Sequence, residues 1–400
     1  MAISQRMFLI AILILIAGML SLQTMPAGAI DDWVEYLGNP VFDPAERAYY
    51  PSVCYDASKF SGHGDSYYYK MWYADGTGIR LAYSDDGINW IEQDGQLSAL
   101  TNAHHPVVLY DAGGFGEGLF YKIWYWDSSS PYGNPIRYAE SNNGIIWVND
   151  QIISQDPSRM LVTGWVSPYW FYSSYGPSDV LYNPSGYAVI NDADPMGNKY
   201  VMYFDACSQI PVVPDGTVEC TGLAYSADGK YWARYGSEPV FKASGGSAWD
   251  SQYAYAWSVL KVDGSYQMWY SGGQDDSNDG IGYAESTDGI VWTKYSENPI
   301  MHADDGIPWR SSRTYTPLVI YDSNSFSGHG DSAYYKMWFS GVNPDYTIGY
   351  AMIPAPQPIG GVWVPIKKFE LIAPWITLVS LLAMTTASIG YAKNRKKKHS

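Results

Sequence analysis

The sequence predicts an all-β fold: a five-bladed β-propeller that is closed by an N-terminal strand and followed by a single C-terminal transmembrane helix. Three observations support this prediction: a strand pattern that occurs five times, an N-terminal stretch that matches the part missing from the fifth copy, and a long apolar run near the C-terminus. The chain of 400 residues contains 37 Tyr and 17 Trp, whereas charged residues make up only 16%. Such a composition can fill a large buried core.

The repeated pattern is an aromatic strand close to Tyr-Lys-Met-Trp-Tyr, a turn, and a Gly-Tyr-Ala strand that usually ends in Ser-x-Asp-Gly-x-x-Trp. The spacings between neighbouring copies are long and uneven, which argues against a solenoid and favours four-stranded propeller blades with different loops. Each blade would be covered on both faces, so its strands should be apolar throughout. The anchor residues of the five copies are Trp72, Trp124, Tyr203, Trp269 and Trp338.

The fifth copy stops at Ala351, before the Asp-Gly turn and the outer strand that should follow. In copies three and four that outer segment is Trp232–Phe241 and Trp292–Met301, and Trp33–Phe42 has the same pattern, Trp-x-x-Tyr-x-x-x-Pro followed by two apolar residues. We therefore expect the N-terminal segment to complete blade five and remove an exposed sheet edge. The alternative is a loose N-terminal extension.

The Ser-x-Asp-Gly-x-x-Trp motif has a structural explanation. Gly provides the turn dihedral, Asp or Asn bonds the turn backbone, and Trp packs between blades. Because several copies would occupy equivalent positions, we assign the motif to structure rather than to chemistry.

The termini predict a membrane-anchored protein. Residues 1–29 contain a basic residue, an apolar stretch and Ala-Gly-Ala, the order of a secretory signal peptide. The propeller would span residues 30–353, followed by a linker at 354–370, a transmembrane helix at 371–392 and a basic tail at 393–400. This order places the propeller outside the cell membrane and the C-terminus in the cytoplasm. A buried core helix and a tail processed by a sortase-like enzyme are alternatives for the C-terminal run.

The net charge is -16 despite the basic tail. This acidity argues against nucleic acid as a partner. The sequence predicts no cofactor.

One loop sequence, Phe-Ser-Gly-His-Gly-Asp-Ser, occurs in both the first and the fifth repeat. Imidazole and carboxylate groups suit divalent ions, and blades one and five would be neighbours. A shared metal site is therefore conceivable, although duplication of a turn is the simpler explanation and we predict no metal. The residues concerned are His63, Asp65, His329 and Asp331.

The Tyr-Lys-Met-Trp-Tyr strand followed by Ile-Gly-Tyr-Ala-x-Ser-x-Asp-Gly-x-x-Trp resembles the five-bladed β-propeller glycosidase superfamily, which includes arabinanases, xylosidases, levansucrases, invertases and mannoside phosphorylases. The resemblance covers essentially all of residues 33–353. It implies a pair of catalytic carboxylates, with a third that tunes the acid, at the starts of the inner strands around a central funnel.

The chain departs from the pattern that this resemblance implies. Tyr50 precedes Pro51-Ser52-Val53, where the superfamily usually has Asp-Pro-Ser-Val. The corresponding segments of repeats two, four and five also lack a carboxylate, and only repeat three has one, Asp179. Two-carboxylate chemistry needs a second acid, so the resemblance implies a catalytically degenerate member.

The leading interpretation is a cell-surface propeller that binds carbohydrate in its funnel without the usual hydrolase carboxylates. Aromatic rings pack on the C–H faces of sugars while polar groups bond their hydroxyls. One alternative is an active glycoside hydrolase or phosphorylase that uses Asp179 with a loop carboxylate, and another is a protein-interaction scaffold in the envelope. The candidate binding residues are Tyr50, His104, His105, Trp170, Trp257 and Arg313.

Overall fold

The structure is a computed structural model, and it describes residues 33–61, 63, 66–95, 97, 100–129, 135–155, 173–187, 198–208, 218–274, 279–326 and 333–354. The predicted signal peptide, transmembrane segment and basic tail lie outside these ranges. Within the described ranges, no helix has the length and apolar character needed to cross a membrane.

The described strands form five antiparallel blades. Strand β1 (Val34–Glu35) belongs to blade five and precedes the others in the chain. Blade one contains β2 (Tyr49–Tyr55), β3 (Tyr69–Ala74), β4 (Ile79–Ser84) and β5 (Trp90–Glu92). Blade two contains β6 (Ala103–Tyr110), β7 (Tyr121–Asp127), β8 (Ile136–Ser141) and β9 (Trp147–Ile152).

Blade three begins with the short β10 (Ser154–Gln155), which pairs in parallel with the outer strand of the blade. Its other strands are β11 (Ser173–Tyr182), β12 (Tyr200–Ser208), β13 (Val218–Ser226), β14 (Tyr231–Arg234) and β15 (Phe241–Lys242). Blade four contains β16 (Tyr253–Val262), β17 (Ser265–Gly273), β18 (Asp279–Ser286), β19 (Thr293–Lys294) and β20 (Met301–His302). Blade five adds β21 (Arg313–Tyr321), β22 (Ala333–Val342) and β23 (Tyr346–Pro354) to β1. Short 3-10 turns lie at Gly114–Gly116, Ala303–Asp305 and Pro308–Arg310.

The N-terminal strand closes the ring, as predicted. Strand β1 is antiparallel to β23, with Val34 opposite Met352 and Glu35 opposite Ala351. Further along, Phe42 forms a bridge with Ile348. The inner strands β2, β6, β11, β16 and β21 contact one another in that order, and β21 contacts β2. Five blades therefore surround one axis.

Four of the five anchors of the repeat bond the turn of the next blade. The indole nitrogen of Trp72 donates to the carbonyl of Gly144 at 2.9 Å, and that of Trp338 donates to the carbonyl of Gly87 at 2.8 Å. In blade three, the Tyr203 hydroxyl takes the same role. Gly87 and Gly144 have positive φ, and a Cβ on either would lie within 3 Å of the anchor ring. These contacts confirm the structural role of the Asp-Gly motif.

Buried lysines add a second set of bonds between blades. Lys70, in the strand that carries Trp72, is fully buried, and its Nζ donates to the Tyr121 hydroxyl of blade two at 2.9 Å. Lys336 donates in the same way to Tyr69 of blade one at 2.7 Å. A hydroxyl acceptor satisfies the ammonium group without burying a counter-charge, and so it limits the cost of placing lysine in the core.

Candidate functional site

Every inner strand contains one extra residue immediately before the residue that lies opposite the anchor, and these five equivalent β-bulges mark the wall of the funnel; β11 has a further bulge between Ser174 and Gly176. Bulges redirect side chains and are frequent next to functional sites. The residues in the five bulges are Tyr50 and Pro51, His105 and Pro106, Ser178, Trp257, and Thr316 and Pro317. None of them carries a carboxylate.

Three bulge residues have a strained backbone. Tyr50, His105 and Thr316 have φ values of 57°, 50° and 52°, in the left-handed region that non-glycine residues rarely occupy. Each of them also precedes a proline. Such strain costs on the order of 1–3 kcal/mol and persists only where the surrounding structure enforces it. The bulges of blades one, two and five thus hold side chains in positions that a regular strand would not provide.

The bulges bring four aromatic rings together, which we call the funnel cluster: Tyr50, His105, Trp257 and Tyr315. The Tyr50 ring centroid lies 4.0 Å from His105, 5.2 Å from Trp257 and 6.0 Å from Tyr315. Trp257 and Tyr315 are buried, with exposures of 3% and 1%. Three of the predicted binding residues, Tyr50, His105 and Trp257, therefore converge on the axis.

Burial dominates the electrostatics of the funnel cluster. It raises the pKa of Tyr50 and lowers the pKa of His105 to about 3, with a smaller contribution from His104 to the latter. His105 is 5% exposed, and among the described residues its Nδ1 has no hydrogen-bond partner. The cluster is therefore neutral at physiological pH and holds a polar atom that remains unpaired.

A second aromatic group lies beside the funnel cluster, and we call it the mouth shelf: Tyr49, His104, Trp126 and Tyr346. All four side chains are half-buried. The Tyr49 ring centroid lies 6.4 Å from His104, 5.1 Å from Tyr346 and 4.6 Å from Tyr50, and the His104 ring lies 5.3 Å from Trp126. The exposed Arg47 places its guanidinium 5.1 Å from the Tyr346 ring. The shelf thus offers accessible ring faces next to a cation.

Arg313 lies in the wall of the funnel at the start of β21. It forms an ion pair with the buried Asp279, and its guanidinium is 4.4 Å from the Tyr315 ring. Tyr253 also donates a hydrogen bond to Asp279. Burial raises the pKa of Asp279 to about 6, and the neighbouring Arg313 opposes this rise. Arg313 is therefore partly neutralised before any ligand approaches.

Asp179 has partners that its sequence context did not indicate. It lies one position beyond the bulge, opposite Tyr203, where blades one and four have Ser52 and Ser258 opposite their anchor tryptophans. Those serines accept backbone N–H groups of the next blade at 3.0 Å, and Asp179 accepts the Val259 N–H at 2.6 Å in the same way.

The other carboxylate oxygen of Asp179 accepts the N–H of Val180 at 2.7 Å. Burial raises the pKa of Asp179 to about 7, although both hydrogen bonds act in the opposite direction. The carboxyl group thus joins blades three and four, and a catalytic role for it stays a prediction.

Three further carboxylates of the funnel wall were missed or left unplaced by the sequence interpretation, which considered mainly the inner strands. Asp279 and Glu219 begin or nearly begin the third strands of blades four and three, and Asp205 lies near the end of β12. Asp205 is opposite Thr221, and Glu219 lies two residues before Thr221, so both acids share a sheet face. Their charges contribute to the raised pKa of Tyr50. The available signal was an acid three residues before the glycine of Gly-x-Ala in repeats three and four.

The remaining candidates lie elsewhere. Trp170 is outside the described residues, as are Asp65, His329 and Asp331 of the conceivable metal site. His63 contacts blade two, where its Nδ1 is 2.6 Å from the Asn142 carbonyl oxygen and its ring is 4.3 Å from Phe120. Within the described ranges, no group of three potential metal ligands is present.

Comparisons with solved structures identify proteins of the same architecture. A thermostable family-43 glycoside hydrolase matches 79% of this chain and 98% of its own, with a TM-score of 0.51 and 16% identity. A glycosyl hydrolase from Bacteroides ovatus matches 83% and 99%, with a TM-score of 0.53 and 13% identity. A β-1,2-mannobiose phosphorylase from Listeria innocua, in complex with β-1,2-mannobiose, matches 81% and 97%, with a TM-score of 0.50 and 10% identity.

No family model matches the chain, and no curated protein matches it significantly. At these identities the structural matches establish the fold alone. The chain therefore has the five-bladed β-propeller fold found in family-43 glycoside hydrolases and the mannobiose phosphorylase.

Proposed function

We propose that this protein binds carbohydrate at the mouth of its central funnel, without the usual catalytic carboxylates of glycoside hydrolases. The observation that carries the proposal is the presence of Tyr50, His105 and Trp257, rather than carboxylates, at the bulges, next to the half-buried rings of the mouth shelf. Aromatic faces and hydrogen-bonding side chains together suit a sugar. The similarity in fold to glycoside hydrolases and to a mannobiose phosphorylase supports this class of ligand.

The ligand would lie on the mouth shelf rather than deep in the funnel. The funnel cluster is filled by its own rings, because Trp257 and Tyr315 are buried and Tyr50 contacts both. Tyr49 and Tyr346 remain half-buried and lie beside the exposed Arg47. A sugar ring could pack on these two faces while Arg47 donates hydrogen bonds to its hydroxyls.

The experiment is a binding screen of a polysaccharide panel, with release of new reducing ends measured in parallel. Residues Gly28–Ala355 form one compact unit, so a fragment of residues 30–354 is suitable. We expect binding without release of sugar. Tyr49→Ala and Tyr346→Ala should each weaken binding at least tenfold, because each removes a contact face. Unchanged affinity in both variants would contradict the proposal.

A matched control removes an exposed tyrosine far from the funnel. Tyr231 lies on the outer strand of blade three and is 49% exposed. Tyr231→Ala should leave affinity unchanged. An equal loss in this variant would indicate nonspecific binding to surface aromatics.

An active hydrolase or phosphorylase is the second candidate, and one observation favours it. A pKa of about 7 for Asp179 would suit a general acid. Against it, both carboxylate oxygens accept backbone hydrogen bonds. Release of sugar in the screen, abolished by Asp179→Asn, would favour this candidate over simple binding.

An interaction scaffold in the envelope is the third candidate. The packing of the funnel cluster favours it, because Trp257 and Tyr315 are buried and Tyr50 contacts both rings. Absence of binding across the whole panel would support this candidate.

We further propose that the propeller faces the outside of the cell and is anchored by residues 371–392. The support is the sequence alone: an N-terminal signal pattern, an apolar C-terminal run and a basic tail. Membrane fractionation of the full chain and of a chain ending at residue 370 tests this. The anchor requires that only the full chain sediments with membranes.

A further inference from the structure

The outer strands of blades four and five carry opposite charges at equivalent positions. Lys294 of β19 is opposite Ala284, and Glu35 of β1 is opposite Ala351, the alanine of Gly-Tyr-Ala in each case. Each charged side chain forms an ion pair with a residue of its own blade. Lys294 pairs with Asp250 at 2.5 Å, and Glu35 pairs with Arg310 at 2.6 Å.

The two ion pairs have the same geometry. Asp250 and Arg310 precede the inner strands β16 and β21 by the same number of residues, and each follows a tryptophan that packs on glycines of its sheet. In both pairs the partner before the inner strand is 1% exposed, and the partner on the outer strand is 23% exposed. Blades four and five thus contain the same ion pair between the outer strand and the segment before the inner strand, with the positions of the acid and the base exchanged. We call this ion pair the clasp of the blade.

Arg310 contacts an acidic partner on the outer strand. Its Nη2 and Nε donate to both carboxylate oxygens of Glu35, at 2.6 and 3.3 Å. Its other hydrogen bonds go to the His302 carbonyl, Thr314 and Asp305. A lysine at position 35 would place a second cation beside this buried guanidinium and leave it with Asp305 as its carboxylate partner, and two buried like charges that share one counter-charge are costly.

The outer strand of blade five, β1, must be selected by its side chains, because no turn connects it to the neighbouring strand β23. In blade four, the Asp-Gly turn connects β18 to β19 within a few residues, so the pairing is local. In blade five, β23 and β1 lie at opposite ends of the propeller sequence. The segments that follow Trp33, Trp232 and Trp292 share one backbone pattern, and side-chain charge is what distinguishes them.

We propose that the Glu35–Arg310 pair is a charge key: it selects the N-terminal strand, rather than another outer strand of the repeat, as the closing strand of blade five. The groove beside β23 accepts a strand with an acid opposite Ala351 and rejects one with a base. The strand of a second copy would satisfy the same key, so the local concentration of the chain's own N-terminus favours closure within one molecule.

Charge reversal in the full chain tests the key. Glu35→Lys and Arg310→Asp should each lower the melting temperature by on the order of 10 °C. In an Asp305→Asn background, which removes the second carboxylate that Arg310 contacts, the double variant reproduces the Lys294–Asp250 arrangement of blade four and should recover at least half of the loss shown by the single variants in that background. A double variant as unstable as the sum of the single variants overturns the proposal.

A second measurement distinguishes release of strand β1 from general destabilisation. It uses the single variant Glu35→Lys and a matched control. Hydrogen exchange of the β23 amides that face β1 should accelerate in this variant. The matched control is Lys294→Glu, which breaks the clasp of blade four; it should lower the melting temperature without exposing β23. If the β23 amides stay equally protected in Glu35→Lys, or if both variants expose them alike, the pair is an ordinary ion pair and the key is refuted.

Size-exclusion chromatography at several protein concentrations distinguishes the source of the closing strand. The proposal requires a monomer for the native chain and for the double variant. A stable native dimer that dissociates on Glu35→Lys would show that the strand comes from a second copy and would overturn closure within one molecule.

Discussion

The indole nitrogen of Trp338 in blade five donates a 2.8 Å hydrogen bond to the carbonyl of Gly87 in blade one. These residues are far apart in sequence, yet their hydrogen bond is equivalent to the one between Trp72 of blade one and Gly144 of blade two. The junction where the ring closes is therefore built like an ordinary blade junction.

Trp269 is the exception, and it allows a comparison. Blade five lacks an Asp-Gly turn, and among the described residues the Trp269 Nε1 has no hydrogen-bond partner. Trp72 and Trp269 are both fully buried, and each meets an outer-strand tryptophan edge-on, at 6.3 and 6.1 Å. We expect Trp72→Phe to reduce the free energy of unfolding by about 1–2 kcal/mol more than Trp269→Phe, because it strands the Gly144 carbonyl. Denaturant unfolding of both variants measures this difference, and equal losses would contradict it.

Asp179 should make stability depend on pH. Its folded pKa of about 7 lies above the ordinary aspartate pKa of 3.8, so the folded state binds more protons than the unfolded state between these values. Stability should therefore fall as the pH rises from about 4 to about 7, by on the order of 2–4 kcal/mol. Asp179→Ser keeps an acceptor for the Val259 N–H, as Ser52 and Ser258 do for their blades, and removes the titration.

The measurement is the melting temperature of the wild type and Asp179→Ser at pH 5 and pH 8. The variant should lose less stability than the wild type on going to the higher pH. Parallel behaviour of the two proteins would show that the Asp179 carboxyl group does not titrate as its burial predicts.

His105 should have the opposite effect. Its folded pKa of about 3 lies below the ordinary histidine pKa of 6.5, so the unfolded state binds more protons than the folded state between these values. Stability should therefore fall as the pH drops from about 6.5 towards 3. His105→Phe keeps a ring against Tyr50 and removes the titration, so its acid unfolding should begin at a lower pH. Acid titrations followed by tryptophan fluorescence test this, and coincident transitions would count against it.

The repeat explains why so much of the fold could be predicted. Trp338 and Gly87 belong to local patterns that occur several times. Because each copy occupies an equivalent position in its blade, the structure predicted for one copy applies to the others. The missing turn after Ala351 and the matching segment at Trp33 then left one closing arrangement. The Glu35–Ala351 pairing confirms it.

The site was less predictable because bulges decide it. Tyr50 and His105 were predicted to be funnel residues because they fall at or just before inner strands, and their rings do converge. Asp179 lies one residue from the bulge, opposite Tyr203, and a shift of one residue turns a strand side chain to the other face. No sequence pattern predicted this shift in strand register.

The sequence by itself determined the number of blades, their order and the strand that closes the ring, because these depend on periodic local patterns and on burial. Only the tertiary structure decided which side chains meet at the axis, that Asp179 bonds Val259 of the next blade, and that Arg310 bonds Glu35. Those contacts join residues from different blades, and their geometry depends on bulges and on the packing between blades rather than on any local pattern.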